Sequence, residues 1–263
     1  MNRFPISLIL ITVVSLVGCV KISDPAVEKY NYSLLGELCV NEKHQKLYLF
    51  TSVFPNSKVN RPSIPEYYYP DLIAENAKII ISDGVNSWRD FDLLTFISPL
   101  NDLEYKKYYT NKFNMNLRFN QKYSISINIC DQTIFAETTT PGNFSFCDFE
   151  YVNYLNVENS KLIKLKWTKS LNASYYKVFT KIFYGLNNRN IVNEYEQVLF
   201  DTTSFDFKFL SFYDSVQVKV KAFDKNSFDF NYKDCEVVNI KGAYGYLGAS
   251  VQKQIVFINY NLK

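Results

Sequence analysis

Apolar and polar residues alternate with period two in three stretches, and this alternation points to the fold class. In "YSISINI" (123–129), Tyr123, Ile125, Ile127 and Ile129 share one face, and Ser124, Ser126 and Asn128 the other. "LIKLKWT" (162–168) sets Ile163, Leu165 and Trp167 against Lys164 and Lys166. "SVQVKVKAF" (215–223) turns Val216, Val218, Val220 and Ala222 inward and Gln217, Lys219 and Lys221 outward. One wet face and one buried face imply antiparallel sheets packed as a sandwich. Shorter runs predict further strands at 33–40, 46–52, 77–84, 114–119, 133–140, 175–184, 204–210 and 254–260. Turn residues such as Ser82-Asp83-Gly84 and Pro141-Gly142-Asn143 separate most of them. No segment carries a sustained apolar stripe of period 3.6, so the expected chain is all-β with at most short helices.

Composition agrees. Phe and Tyr number 22 and 21, against 2 Met and 8 Gly, and aromatic enrichment favours strands. A net charge of +3, with basic residues scattered among acids, gives no basis for nucleic-acid binding.

The best domain boundary is "TTTPGN" (138–143): Pro141 cannot donate to a ladder and Gly142 relaxes the backbone. Beyond it, Trp167 falls in a second strand, "YYKV" in a third and "VQVKVKAFD" in a sixth. In this order the half resembles a fibronectin type III domain. It departs from that pattern at Asp214-Ser215-Val216, where the usual tyrosine of the sixth strand is missing. The expected division is two antiparallel β-sandwich domains, one Ig-like or transthyretin-like at 30–140 and one fibronectin type III-like at 141–263.

The N-terminus carries an address. Arg3 precedes an apolar run from Phe4 to Val17. Fourteen residues at 1.5 Å each reach about 21 Å, short of a hydrocarbon core of about 30 Å, which argues against a membrane span. Leu16-Val17-Gly18-Cys19 resembles the lipobox of bacterial lipoproteins. The resemblance implies removal of residues 1–18, lipidation of Cys19 and a tether over 19–29. Two acyl signals are needed for stable anchoring.

With "YSLLGELCV", "AKIIISDG", "QKYSISINICDQTIFAETTTP", "LKWTKSLNASYYKV" and "NIKGAYGYLGAS" in that order behind the lipobox, the chain resembles a family of Bacteroidetes outer-membrane lipoproteins catalogued as a domain of unknown function. Ala243 and Leu247 replace a glycine and an aromatic of the last motif. Members are often encoded beside TonB-dependent transporters, which implies an accessory role on an outer-membrane β-barrel, with surface display favoured over a periplasmic orientation. Val20-Lys21-Ile22-Ser23-Asp24, however, carries one acid and matches the acidic export signals of that phylum poorly.

Candidate chemistry is sparse. His44, the only histidine, sits in the polar turn "NEKHQK", and no nucleophile–base–orienter set accompanies it. No catalytic residue, cofactor or metal site is expected. Apart from Cys19, the four cysteines Cys39, Cys130, Cys147 and Cys235 permit two disulfides or free buried thiols. "GAYGYLG" (242–248) reads either as a bulge with close backbone approach or as a contact surface carried by Tyr244 and Tyr246. "RPSIPEYYYPD" (61–71) places Tyr67, Tyr68 and Tyr69 between prolines. Exposed there, the tyrosines suit partner binding; folded back, they join a core. "YKKYY" (105–109) is a weaker case of the same pattern, and Asp201-Thr202-Thr203 and Asp214-Ser215-Val216 resemble a short O-glycosylation motif. The expectation is therefore a non-catalytic lipoprotein docking on a β-barrel. The alternative is a surface module that binds a peptide or glycan through Tyr67–Tyr69.

Overall fold

The computed structural model describes residues 32–51, 73–97, 105–153, 160–184, 190–210, 213–233 and 237–258. In chain order the strands are β1 (Ser33–Cys39), β2 (Lys46–Phe50), β3 (Lys78–Ser82), β4 (Ser87–Trp88), β5 (Phe91–Ile97), β6 (Tyr105–Asn111), β7 (Lys122–Ile129) and β8 (Gln132–Thr139). After the 138–143 crossing come β9 (Phe146–Asn153), β10 (Ser160–Trp167), β11 (Tyr175–Tyr184), β12 (Asn190–Leu199), β13 (Ser204–Leu210) and β14 (Ser215–Phe223). Helix α1 (Lys225–Tyr232), β15 (Val237–Val238), β16 (Ile240–Lys241) and the 15-residue β17 (Tyr244–Ile258) complete it.

The strands form two β-sandwiches that share a sheet. A nine-stranded sheet runs β12-β11-β14-β17-β1-β2-β6-β5, with β15 also on β17. Two smaller sheets, β16-β8-β7-β3-β4 and β13-β10-β9, cover one of its faces side by side. Pairing is antiparallel except where β1 and β15 run parallel to β17. In the second sandwich Trp167 ends the second strand, β11 is the third and β14 the sixth, the order that the fibronectin type III resemblance expects.

β17 joins the halves. Its residues 244–250 pair with β1, and residues 250–258 pair with β14. Leu247 and Ala249 enter the first core beside Leu34, Leu47, Ile125 and Ile134. Val251 and Phe257 enter the second beside Trp167, Val178, Val218 and Val220. The segment 240–250 thus lies in the first sandwich although it follows the 138–143 crossing. That crossing is bonded to both sides. Thr140 N donates to Gln121 O (3.0 Å), Gly142 N donates to Leu171 O (2.6 Å), and Ser170 Oγ donates to Gly142 O (2.6 Å).

One expected strand does not form, and one tyrosine-rich stretch read beside the loop at 61–71 proves to be a strand. Residues 114–119 are not part of a described strand: Met115 and Leu117 pack against the cores, and the chain turns at Phe119. "YKKYY" is strand β6: Tyr109 is buried, donating from its hydroxyl to Ala74 O (2.9 Å) and accepting from Ala77 N (3.1 Å). The one described helix follows from its cap. The Asp224 side chain accepts from Ser227 N at 3.0 Å, an N-cap bond that satisfies an otherwise orphan donor of the first turn.

Candidate functional site

The residues singled out in the sequence do not converge. Cys19 and Tyr67, Tyr68 and Tyr69 lie outside the described residues, as does Cys235. Tyr244 opens β17, half-buried and paired with Ser33, its N–H donating to Tyr32 O at 3.0 Å. Tyr246 is buried, 5% exposed, and stacks on Phe230 of α1 with ring centroids 4.4 Å apart. Tyr246 is therefore core, and this corrects the expectation of a tyrosine contact surface at 242–248. The glycines there serve close approach. Gly245 adopts φ +102°, and a Cβ on it would collide with the Leu34 carbonyl oxygen across the parallel β1–β17 pair.

His44 sits exposed in its turn, with Nδ1 3.1 Å from Asn111 O. Cys39, Cys130 and Cys147 are free thiols, so two disulfides do not form. Cys39 is buried on the sheet, and burial pushes its thiol up to about 12. Ser215 is buried at the start of β14, closed to modification. Among the described residues, no group of three His, Cys, Asp or Glu side chains is placed to hold a metal.

What the fold does assemble lies at the junction, around β17 where it leaves one sandwich for the other. Asp224 is buried there. Its Oδ2 accepts from Thr138 Oγ1 of the first sandwich at 2.7 Å, and its Oδ1 accepts from Ser227 N and Oγ at 3.0 and 2.6 Å. Burial raises this carboxyl above the ordinary range, and the bonds from Ser227 and Thr138 oppose the rise. Asp224 forms part of the wall of a polar cleft of about 580 Å³, lined also by Lys122, Glu137, Asn172, Ser174 and Asn226. Lys122 and Glu137 are paired at 2.7 Å. With its acceptors already filled by three donors, Asp224 is a cap and a tie between the halves, not a free base.

Nearby, Lys221 Nζ lies 2.7 Å from Glu37 Oε1, with the two side chains only 16% and 15% exposed. Ser250 Oγ bonds the same oxygen. Burial alone would lower the Lys221 ammonium, but the Glu37 carboxylate and the neighbouring Cys39 raise it on balance. Tyr246 and the stacked pair Tyr175–Phe223, ring centroids 4.7 Å apart, lie beside the pair. Sequence patterning gave no sign of this group. Glu37 and Lys221 each look like the wet face of a half-buried strand, and only the shared β17 brings them together.

No family model matches the chain, and neither does any curated protein. Among solved structures, the FN1–FN3 domains of chicken CNTN1 align with 86% of this chain at 12% identity and a TM-score of 0.26. This chain spans 65% of that one. CBD12 from CALX1.2 aligns over 85% of this chain and 100% of its own length, at 11% identity and a TM-score of 0.21.

Proposed function

We propose that the chain is a non-catalytic outer-membrane lipoprotein, anchored through Cys19 and docking as an accessory subunit on an outer-membrane β-barrel such as a TonB-dependent transporter. The observation that supports this reading is the direction of the body. β1 starts at the pole where Ser33 pairs with Tyr244, and β17 runs from that pole through both sandwiches. Fifteen residues at about 3.3 Å each give it a reach of about 50 Å. A lipid on Cys19 then holds the first sandwich near the bilayer and carries the second away from it, a spacing that suits an accessory subunit reaching along a barrel's exposed loops. Surface display is part of the proposal. Protease shaving of intact cells is expected to cleave the protein, and an uncut chain would place it on the periplasmic side. The docking role is tested by mild-detergent capture of the tagged protein from outer membranes.

A second reading, a surface module for a peptide or glycan, draws on the polar cleft at the junction. Its walls offer hydroxyl, amide and charged groups from both sandwiches. The Tyr67–Tyr69 segment is its other candidate contact, tested by Tyr67→Ala/Tyr68→Ala/Tyr69→Ala in a ligand-binding assay.

A further inference from the structure

The nine-stranded sheet passes from one sandwich to the other through β17 alone, and at the crossing Ser250 is paired with both Cys39 of β1 and Phe223 of β14. Sheets twist and bend between neighbouring strands, so one shared strand does not by itself fix the angle between the two bodies. Apolar contacts also cross the junction, Val40 and Leu117 against the second core and Phe230 of α1 against Tyr246, and such contacts are non-directional and tolerate sliding. Glu37 and Lys221 differ in kind. They sit on strands that are not neighbours, β1 and β14, and reach over β17 to meet at 2.7 Å, with Ser250 of that strand bonding the same carboxylate. The contact closes only at one relative placement of three strands. Buried ion pairs contribute little net stability against a well-packed apolar replacement, and their best-attested use is to select one arrangement among several.

We propose that the Glu37–Lys221 pair is an orientation lock, holding the two sandwiches at a single angle. The inference stands apart from the docking role, since it concerns the free protein. The partner links at the crossing are expected to keep the halves together without it: Thr138 to Asp224 at 2.7 Å and Gly142 N to Leu171 O at 2.6 Å.

The test compares residual dipolar couplings of the two halves in the unlipidated mature chain (Cys19→Ser). In the parent protein one alignment tensor fits both sandwiches. In Glu37→Met/Lys221→Met the urea midpoint is expected to hold while the tensors of the two halves separate. The exchanged pair Glu37→Lys/Lys221→Glu is expected to bring them back together. Should the methionine pair fail to fold, Glu37→Gln/Lys221→Gln carries the same readout. Coincident tensors in the uncharged pair would overturn the proposal, because β17 and the apolar contacts would then set the angle unaided. Separated tensors that the exchanged pair does not restore would overturn it equally.

Discussion

Leu247→Ala tests whether the sandwiches unfold as one unit. Leu247 is fully buried in the first core, and its side chain closes over Gly36, whose missing Cβ leaves the room it fills with Leu47. Truncation removes buried methyl groups and leaves a cavity walled by strands that cannot collapse. A cost of about 3 kcal/mol is expected. For a chain of this size that is about 6–12 °C in Tm, or about 1 M in urea midpoint at an m-value near 3 kcal/mol/M. The two tryptophans make the assay selective, since Trp88 reports on β4 of the first sandwich and Trp167 on β10 of the second. Fluorescence of Trp88→Phe and Trp167→Phe backgrounds follows each half separately. Because β17 belongs to both, both transitions are expected to coincide in the parent and to fall together in Leu247→Ala. A fall confined to the Trp88 signal, with the Trp167 midpoint unmoved, would refute the shared-strand argument.

Three further outcomes follow from local geometry. Gly245→Ala meets a positive φ and the Leu34 carbonyl at once; it is expected to cost more than the roughly 1–2 kcal/mol of the backbone conformer alone, seen as a Tm loss exceeding that of an exposed Gly→Ala control such as Gly84. Asp224→Asn keeps a capping acceptor and removes a buried charge. A carboxyl raised by folding favours stability at low pH and loses it as pH climbs through its folded value, so the parent is expected to weaken from acid toward neutral pH more than the variant does, as read by urea midpoints. Equal slopes would remove Asp224 from that account. Cys39, buried with its thiol raised to about 12, is expected to resist maleimide at pH 8 until the protein unfolds, whereas exposed Cys130 and Cys147 label at once; peptide mapping by mass spectrometry separates the three.

Where one face of a strand meets the core and the other meets water, its bounds were legible almost to the residue. Of the stretches read from alternation, 215–223 matches Ser215–Phe223, 123–129 differs from Lys122–Ile129 by one position and 162–168 from Ser160–Trp167 by one or two; the shorter runs 175–184 and 204–210 match Tyr175–Tyr184 and Ser204–Leu210. β17 shows why the rest was harder. Residues 245–251 are buried on both faces, under α1 on one side and against the two cores on the other, so alternation vanishes and the glycines there resemble a loop. From Gln252 the outer face is open again, and the strand signal returns. The parallel pairing of β1 with β17 joins the two ends of the described chain, and no local pattern encodes it. For the same reason the Glu37–Lys221 pair and the cleft beside Asp224 emerge only when the strands are placed.

The docking proposal is tested most directly by mild-detergent capture of the C-terminally tagged protein from outer membranes, with mass spectrometry of whatever accompanies it. Co-purification of an outer-membrane β-barrel in stoichiometric amount is the predicted result. Recovery of the protein alone, under conditions that keep other outer-membrane complexes intact, would contradict it.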